Sequence, residues 1–196
     1  MKRIILASSS PRRIEMMKKN GYEPEIIPAD VDETILIDMS CESAAMAMAL
    51  KKAAYIADTL TGTDSIKKAT SDDHGAMIIA ADTIVVSGGE IMGKPVDQED
   101  AYRMLSKLRN DSHQVMTGVA IIDTAESLKI CFCDTTSVYF KDYTDEELLD
   151  YVKTSEPYDK AGGYAIQGTF GKYIDHFEGD YDNVVGFPWY RVKEYL

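Results

Sequence analysis

The segment Leu6-Ala7-Ser8-Ser9-Ser10-Pro11-Arg12-Arg13 constrains this chain more than any other, because it joins a strand end to a helix start without a linker. Lys2 to Ala7 reads as a buried strand. Ser10 suits an N-cap, where a hydroxyl takes up an orphan backbone N–H of the first turn. Pro11 then falls at the first helical position, where its fixed φ fits and its missing N–H costs nothing. Arg12 and Arg13 are the anomaly. A helix N-terminus carries partial positive charge, so two cations there are unfavourable on the helix's own account. An anion would reverse that sign, and free N–H groups, three hydroxyls and two guanidinium groups together suit a phosphate. The alternative is a capped helix whose arginines point into solvent.

Two further stretches carry chemistry. Ala76 to Val86 (AMIIAADTIVV) is an apolar strand interrupted only by Asp82 and Thr83, and Ser87-Gly88-Gly89-Glu90 makes a hairpin turn after it. A carboxylate amid Ile, Ala and Val is costly unless a cation, a metal or a set of donors neutralises it. Asp82 either accepts backbone N–H bonds at a strand end or serves a reaction, and nothing in the strand itself needs an acid. Glu156 to Gly168 (EPYDKAGGYAIQG) packs charges, glycines and one amide into a segment with neither helix nor strand period. Such a loop holds a ligand or simply connects elements; in the first case Gln167 presents its amide to a base edge.

The remaining chain reads as α/β. Pro11 to about Asn20 is a helix stopped at Gly21, and Glu25 to Pro28 is a short strand. That strand leads to Asp30-Val31-Asp32-Glu33-Thr34, which is a solvated acidic turn or a magnesium-binding edge. Ser40 to about Leu60 is a helix with Ala44, Ala47, Met48 and Lys51 near one face, its methionines serving packing. Thr61 to Gly75 is a turn-rich surface loop. Lys94, in Met92-Gly93-Lys94-Pro95, is within reach of a phosphate if the backbone approaches a ligand at the glycine. Asp97 caps a helix to about Leu108, with Tyr102, Leu105 and Leu108 facing the core. Gln114 to Ile122 and Leu128 to Phe140 form an antiparallel pair, and Thr144-Asp145-Glu146-Glu147 opens a helix with a capping box. After Gly179-Asp180-Tyr181 turns the chain, Phe187-Pro188 starts a short final helix.

Composition narrows the function. With 196 residues and 45% apolar content, one domain over 1–196, with at most a modest lobe, is expected. The net charge of −12 argues against nucleic acid or an anionic membrane as partner. No apolar run approaches the roughly 20 residues that span a bilayer, and the N-terminus lacks a signal peptide, so a cytoplasmic protein is expected. Cys41, Cys131 and Cys133 are an odd number without matching histidines, which disfavours zinc and disulfides and leaves core or half-buried strand positions.

Taken in order, LASSSPRR, AADT, GKP, Ser112 to Thr117, EPYDKAGGYAIQG and GDYDNVVGFP resemble the Maf family of nucleoside-triphosphate pyrophosphatases, over about residues 3 to 190. The resemblance implies an α/β fold with a long mixed β-sheet flanked by helices and two lobes around a nucleotide-binding cleft. It implies metal-dependent hydrolysis between the α and β phosphates, with Mg²⁺ or Mn²⁺ as cofactor. Asp82 matches the family's proposed proton acceptor, and Glu33 an acidic position near the metal. Ser8, Arg12, Arg13, Lys52, Lys94 and Lys160 match its phosphate-side positions. Arg12, Thr83 and Gln167 match the members acting on dTTP and UTP, whereas the sister group acting on 7-methyl-GTP has an aromatic residue where Arg12 stands. Gly163 and Ala165 depart from the commoner Ala and Gly around Tyr164, and the Thr61–Gly75 loop is longer than usual. The expected partner is a nucleoside triphosphate, and the family also implies a possible homodimer. Whether Asp82 is the base or holds the metal stays open. The competing reading is a nucleotide-binding regulator of septum formation with little turnover.

Overall fold

The structure is a computed structural model that describes residues 2–34, 39–61, 75–126 and 128–196. Its strands are β1 (Arg3–Leu6), β2 (Glu25–Ile26), β3 (Ala76–Ser87), β4 (Glu90–Met92), β5 (Ser112–Asp123), β6 (Leu128–Phe140) and β7 (Ile174–Glu178). Its helices are α1 (Pro11–Lys19), α2 (Cys41–Thr61), α3 (Gln98–Leu108), α4 (Asp145–Val152), α5 (Tyr181–Val185) and α6 (Trp189–Val192). Together they make an α/β fold with a mixed seven-stranded sheet of order β2-β1-β3-β5-β6-β7, to which β4 adds by pairing with β3. β1 lies parallel to both β2 and β3, while β3 with β4 and β6 with β7 are antiparallel. Parallel neighbours need long crossovers, and α1 and α2 lie in the connections that supply them. Among the described residues no helix is long and apolar enough to cross a membrane.

The chain divides into two compact units, Met1–Asp82 with Gly118–Cys133 and Leu196, and Thr83–Thr117 with Asp134–Tyr195. In the first, the core joins Ile5, Ile78, Ala80, Ala120 and Ile122 of the strands to Ala49, Ala53 and Ile56 of α2. The buried stripe of α2 runs through Ala45, Ala49, Ala53 and Ile56, all at most 1% exposed. Of the residues the sequence placed near one face, Ala44 and Met48 are buried, while Lys51 is exposed and donates to the Asp32 carbonyl. The small residues of this helix let it approach the sheet closely. A Cβ added at Gly118 of β5 would lie 2.3 Å from the Ala45 carbonyl carbon and oxygen, so only glycine fits beneath the helix.

The second unit is built on aromatic packing. Leu105 and Leu108 of α3 and Leu148 and Tyr151 of α4 pack with Val85, Val138, Phe140, Tyr164 and Phe170. Both helix starts are capped as the sequence indicates. Asp97 accepts the Asp100 N–H at 2.8 Å, and Thr144 and Glu147 form the capping box. His113 is buried inside this cluster, its Nε2 2.5 Å from the Tyr164 hydroxyl, its ring 5.1 Å from that of Phe140. Burial pushes its pKa down to about 4, with Asp111 opposing, so the imidazole is neutral at pH 7.

Some elements differ from expectation. β7 was not foreseen: IDHFE has no alternating pattern, because as an edge strand paired only to β6 it buries almost nothing. The stretch from Glu156 is a chain of 3₁₀ turns, Glu156–Asp159, Ala161–Gly163 and Thr169–Tyr173. Ser10 stands at the N-cap of α1 without a side-chain cap bond. None of the three cysteines forms a disulfide among the described residues; Cys41 and Cys133 are half-buried and Cys131 is exposed. Most of the loop expected over 61–75 lies outside the described residues.

Gly118→Ala should destabilise the protein by about 1–3 kcal/mol through overpacking against a backbone that cannot yield, read as a lowered denaturant midpoint with unchanged slope. A wild-type midpoint would show that α2 is free to retreat. His113 has a folded-state pKa below its unfolded value, so its contribution is present above about pH 6.5 and is lost as pH falls toward 4. Between pH 7 and pH 5 the loss should amount to about 2 kcal/mol, and a His113→Leu variant should show a flatter stability profile there. Equal slopes for the two proteins would refute the assignment.

Candidate active site

Parallel strands deliver their functional side chains at their carboxyl ends. β1 ends at Leu6, paired with Ile79 of β3 and Ile26 of β2, and the Ala7 N–H still donates to the Ile79 carbonyl at 2.8 Å. The chain leaving β1 supplies Ser8, Arg12 and Arg13. β3 continues past its pairing with β1 to Asp82, and the chain leaving β2 reaches Glu33. Ser8, Arg12, Arg13 and Glu33 thus follow the ends of β1 and β2, and Asp82 lies just past the stretch of β3 that pairs with β1.

Their geometry centres on Lys52 of α2. Its Nζ lies 2.7 Å from Asp82 Oδ1 and 2.7 Å from Glu33 Oε1. The Lys52 and Asp82 side chains are only 12% and 19% exposed, whereas Glu33 is 59% exposed. The lysine is therefore the neutralising cation that a carboxylate within a strand requires. Ser8, buried, accepts from Arg13 Nη1 at 3.1 Å and from the Ser10 N–H at 3.2 Å. The local hydroxyl bridge at the start of α1 is thus made by Ser8 and not by Ser10. Burial lowers the Arg13 pKa to about 10; Asp82 and Glu33 oppose the fall and Arg12 adds to it. The group remains cationic at neutral pH. The Nε of Arg12 is buried and has no hydrogen-bond partner among the described residues. No acidic residue occupies the first turn of α1.

Thr83, Lys94, Lys160 and Gln167 belong to the second unit. The Thr83 hydroxyl lies 3.0 Å from that of Thr117, which donates to the Asn183 carbonyl at 3.2 Å. Asn183, fully buried at the start of α5, donates to Val115 O and Thr136 Oγ1. Lys94 is exposed. Its segment is joined to the 3₁₀ stretch by the Gly162 N–H, which donates to the Gly93 carbonyl at 3.0 Å. A Cβ on Gly162 would approach Val85 to 3.0 Å, and one on Gly163 would approach Pro95 to 3.2 Å. Both glycines have positive φ, so they suit this contact twice over. Lys160 is largely buried and donates to the Glu156 carbonyl at 2.7 Å and to Asp159. Gln167 is exposed between these turns. Thr117, Asn183 and Glu156 were quoted in the sequence only as parts of motifs. Their signal was a polar residue inside an apolar or glycine-rich run, the signal that singled out Asp82.

No three His, Cys, Asp or Glu side chains gather at metal-binding distance among the described residues. The two carboxylates sharing Lys52 are nevertheless hard oxygen donors aimed at one cationic point, which fits a divalent cation that takes its other ligands from water and phosphate. Asp82 and Glu33 are the residues that would hold it.

Two arginines, a lysine and two carboxylates gathered beyond the pairing of parallel strands suit a ligand that carries phosphate. The Maf-like protein family model matches residues 3–196, and the chain belongs to that family. It is 43% identical over 193 residues to a dTTP/UTP pyrophosphatase of Caldicellulosiruptor bescii, covering 98% of this chain and 92% of the relative. A dTTP/UTP pyrophosphatase of Geotalea uraniireducens is also 43% identical over 193 residues, covering 98% and 93%. One from Dictyoglomus thermophilum is 39% identical over 195 residues, covering 100% and 95%.

Lys52→Met should leave Asp82 and Glu33 without the ammonium they share, only Arg13 remaining to offset them, and lower stability by about 1–2 kcal/mol, a figure reduced for the exposure of Glu33. Added Mg²⁺ should restore part of that loss in thermal melts and affect the wild type less. A variant as stable as wild type and indifferent to Mg²⁺ would show that the carboxylates do not depend on the lysine.

Proposed function

We propose that this chain hydrolyses dTTP and UTP, and modified pyrimidine nucleotides like them, to the monophosphate and pyrophosphate. The observation that carries this reading is Asp82, held by Lys52 within β3 in a chain similar over its whole length to dTTP/UTP pyrophosphatases. In the reaction, a water oxygen bonds to the α-phosphorus as the bond from that phosphorus to the bridging oxygen breaks, and pyrophosphate leaves. The Asp82 carboxylate takes the water's proton, which requires an acceptor within hydrogen-bond reach. Arg12, Arg13 and Lys52 offset the charge of the triphosphate, and Ser8 orients Arg13. We assign Lys94 and Lys160 to phosphate oxygens, and Thr83 and Gln167 to recognition of the pyrimidine.

A divalent cation, Mg²⁺ or Mn²⁺, held by Asp82 and Glu33 would neutralise phosphate charge and polarise the phosphorus centre. Asp82 as cation ligand and Asp82 as base both need its ionised form. The activity is proposed for the cytoplasm and for free nucleotides, since a net charge of −12 repels a polynucleotide backbone.

The test is pyrophosphate release from a panel of nucleoside triphosphates with Mg²⁺ or Mn²⁺. Wild type should release it fastest from dTTP and UTP. Asp82→Asn should lower kcat by a factor of about 10²–10⁴, the usual contribution of a general base. Gln167→Ala should blunt the preference among bases with a smaller loss of rate. Near-wild-type turnover by Asp82→Asn at saturating substrate and metal would remove both roles of that residue. Binding without release from any nucleotide would favour the regulator over the enzyme.

A further inference from the structure

Glu156 has no role in the reaction just described, yet it bonds Lys160 directly and holds Thr169, two residues after Gln167. Its Oε1 accepts the Thr169 N–H at 2.9 Å, and its Oε2 accepts the Thr169 hydroxyl at 2.7 Å. The buried Tyr151 hydroxyl shares its one proton between Glu156 Oε1 at 3.3 Å, the third contact to this carboxylate, and the Gly163 carbonyl at 3.1 Å. The backbone carbonyl of the same residue accepts from the Lys160 ammonium at 2.7 Å. One residue therefore ties α4, the turn carrying Lys160 and the turn after Gln167.

The packing is as specific as the hydrogen bonding. A Cβ on Gly168 would lie 1.9 Å from Glu156 Oε1, so the carboxylate occupies the space that any side chain at 168 would need. The turn closes on itself through the Gly168 N–H to Ala165 at 3.0 Å and the Gly171 N–H to Gly168 at 3.1 Å. Gly171 in turn would carry a Cβ 2.3 Å from the Ile166 carbonyl oxygen. Ile166 to Thr169 is thus held from both ends, and exposed Gln167 projects from the fixed section. An exposed amide selects a base edge only when its backbone cannot drift, because discrimination needs the donor and acceptor held in place.

Building on the function proposed above, we infer that Glu156 is the positioning residue for substrate discrimination. Its carboxylate clamps Thr169 so that the Gln167 amide meets the pyrimidine in one orientation, and its carbonyl oxygen aims the Lys160 ammonium. It touches neither substrate nor the reacting atoms.

The experiment compares wild type, Glu156→Ala, Glu156→Gln and Gln167→Ala. It reads KM and kcat for dTTP, UTP, dCTP and dGTP, and the binding of the same nucleotides by calorimetry with Ca²⁺ in place of Mg²⁺. Glu156→Ala should raise KM for dTTP about tenfold, the scale of one lost charge-assisted hydrogen bond, with kcat changed far less. Its preference for dTTP over dCTP and dGTP should fall to that of Gln167→Ala. Glu156→Gln should recover most of the preference, because its amide oxygen can accept the Thr169 N–H and its NH₂ can donate to the Thr169 hydroxyl. A residue that only supports folding would instead lower melting temperature and total activity while leaving the preference ratios intact. Hydrogen exchange at the Thr169 amide supplies a reading that does not depend on turnover: faster in Glu156→Ala, slow in Glu156→Gln. Discrimination by Glu156→Ala equal to that of wild type overturns the inference alone. A wild type that neither binds nor hydrolyses any of the nucleotides overturns the proposed function and this inference with it.

Discussion

The charge of Lys52 is the condition on which the arrangement of the first unit rests. Asp82 occupies a strand among Ile, Ala and Val, where an ionised carboxylate is unfavourable without a cation beside it. Lys52 can supply that cation only because α2 lies close to the sheet, and α2 lies close because its inner stripe is alanine and the strand beneath it offers Gly118. A larger residue at 45, 49 or 118 would lift the helix and carry the ammonium with it. The small residues of α2, which look like mere helix formers, are thus part of the electrostatics. Glu33 completes the pairing from a chain segment with no regular structure, and its greater exposure makes it the weaker partner of the two.

What could be read from the amino acids alone follows from how local the signal is. The strand-to-helix junction at Ser8 to Arg13, the apolar run of β3, the Asp97 cap and the Thr144 capping box are all set by neighbours within a few residues, and all appear in the structure. Asp82 was legible because a carboxylate breaks an apolar pattern. Less legible were features decided by tertiary contacts. Ser10 has the position of a cap, but the Ser8 hydroxyl makes the bonds at this junction because Arg13 folds back onto it. Lys51 and Lys52 are equivalent in any one-dimensional reading, and only the 3.6-residue turn against the sheet separates the solvated one from the one that meets Asp82. β7 was hidden because an edge strand with little burial has no hydrophobic alternation to read.

The second unit solves a different problem, that of holding polar groups without charge. Thr83, Thr117, Asn183 and Thr136 form one buried relay of hydroxyls and an amide, in which most donors find an acceptor within 3.2 Å. His113 and Tyr164 make a second such pair inside the aromatic cluster. Networks of this kind rigidify what they join, since a slip of any member leaves a buried donor unmet. Thr83 is anchored in this way, whereas Lys94 lies on the exposed segment beyond β4. Under the proposed function, the contrast suits a division of labour in which anchored Thr83 selects the base and exposed Lys94 meets phosphate.

The start of α1 carries the most direct signature of an anionic ligand. Two arginines occupy the positive end of a helix with no acidic residue in its first turn, and one of them has its pKa drawn down to about 10 by burial. The Nε of the other is buried without a partner among the described residues. For the folded chain alone each of these is a cost: like charges side by side, a dipole opposed and a donor unmet. Asp82 and Glu33 offset part of it for Arg13, but both are already shared with Lys52. Local choices that conflict with the stability of their own element mark places where function sets the sequence. A polyanion at the helix N-terminus would remove all three costs together, by screening the arginine pair, aligning with the dipole and accepting from the unmet donor. The proposed triphosphate substrate has that charge, and binding it would satisfy all three groups at once.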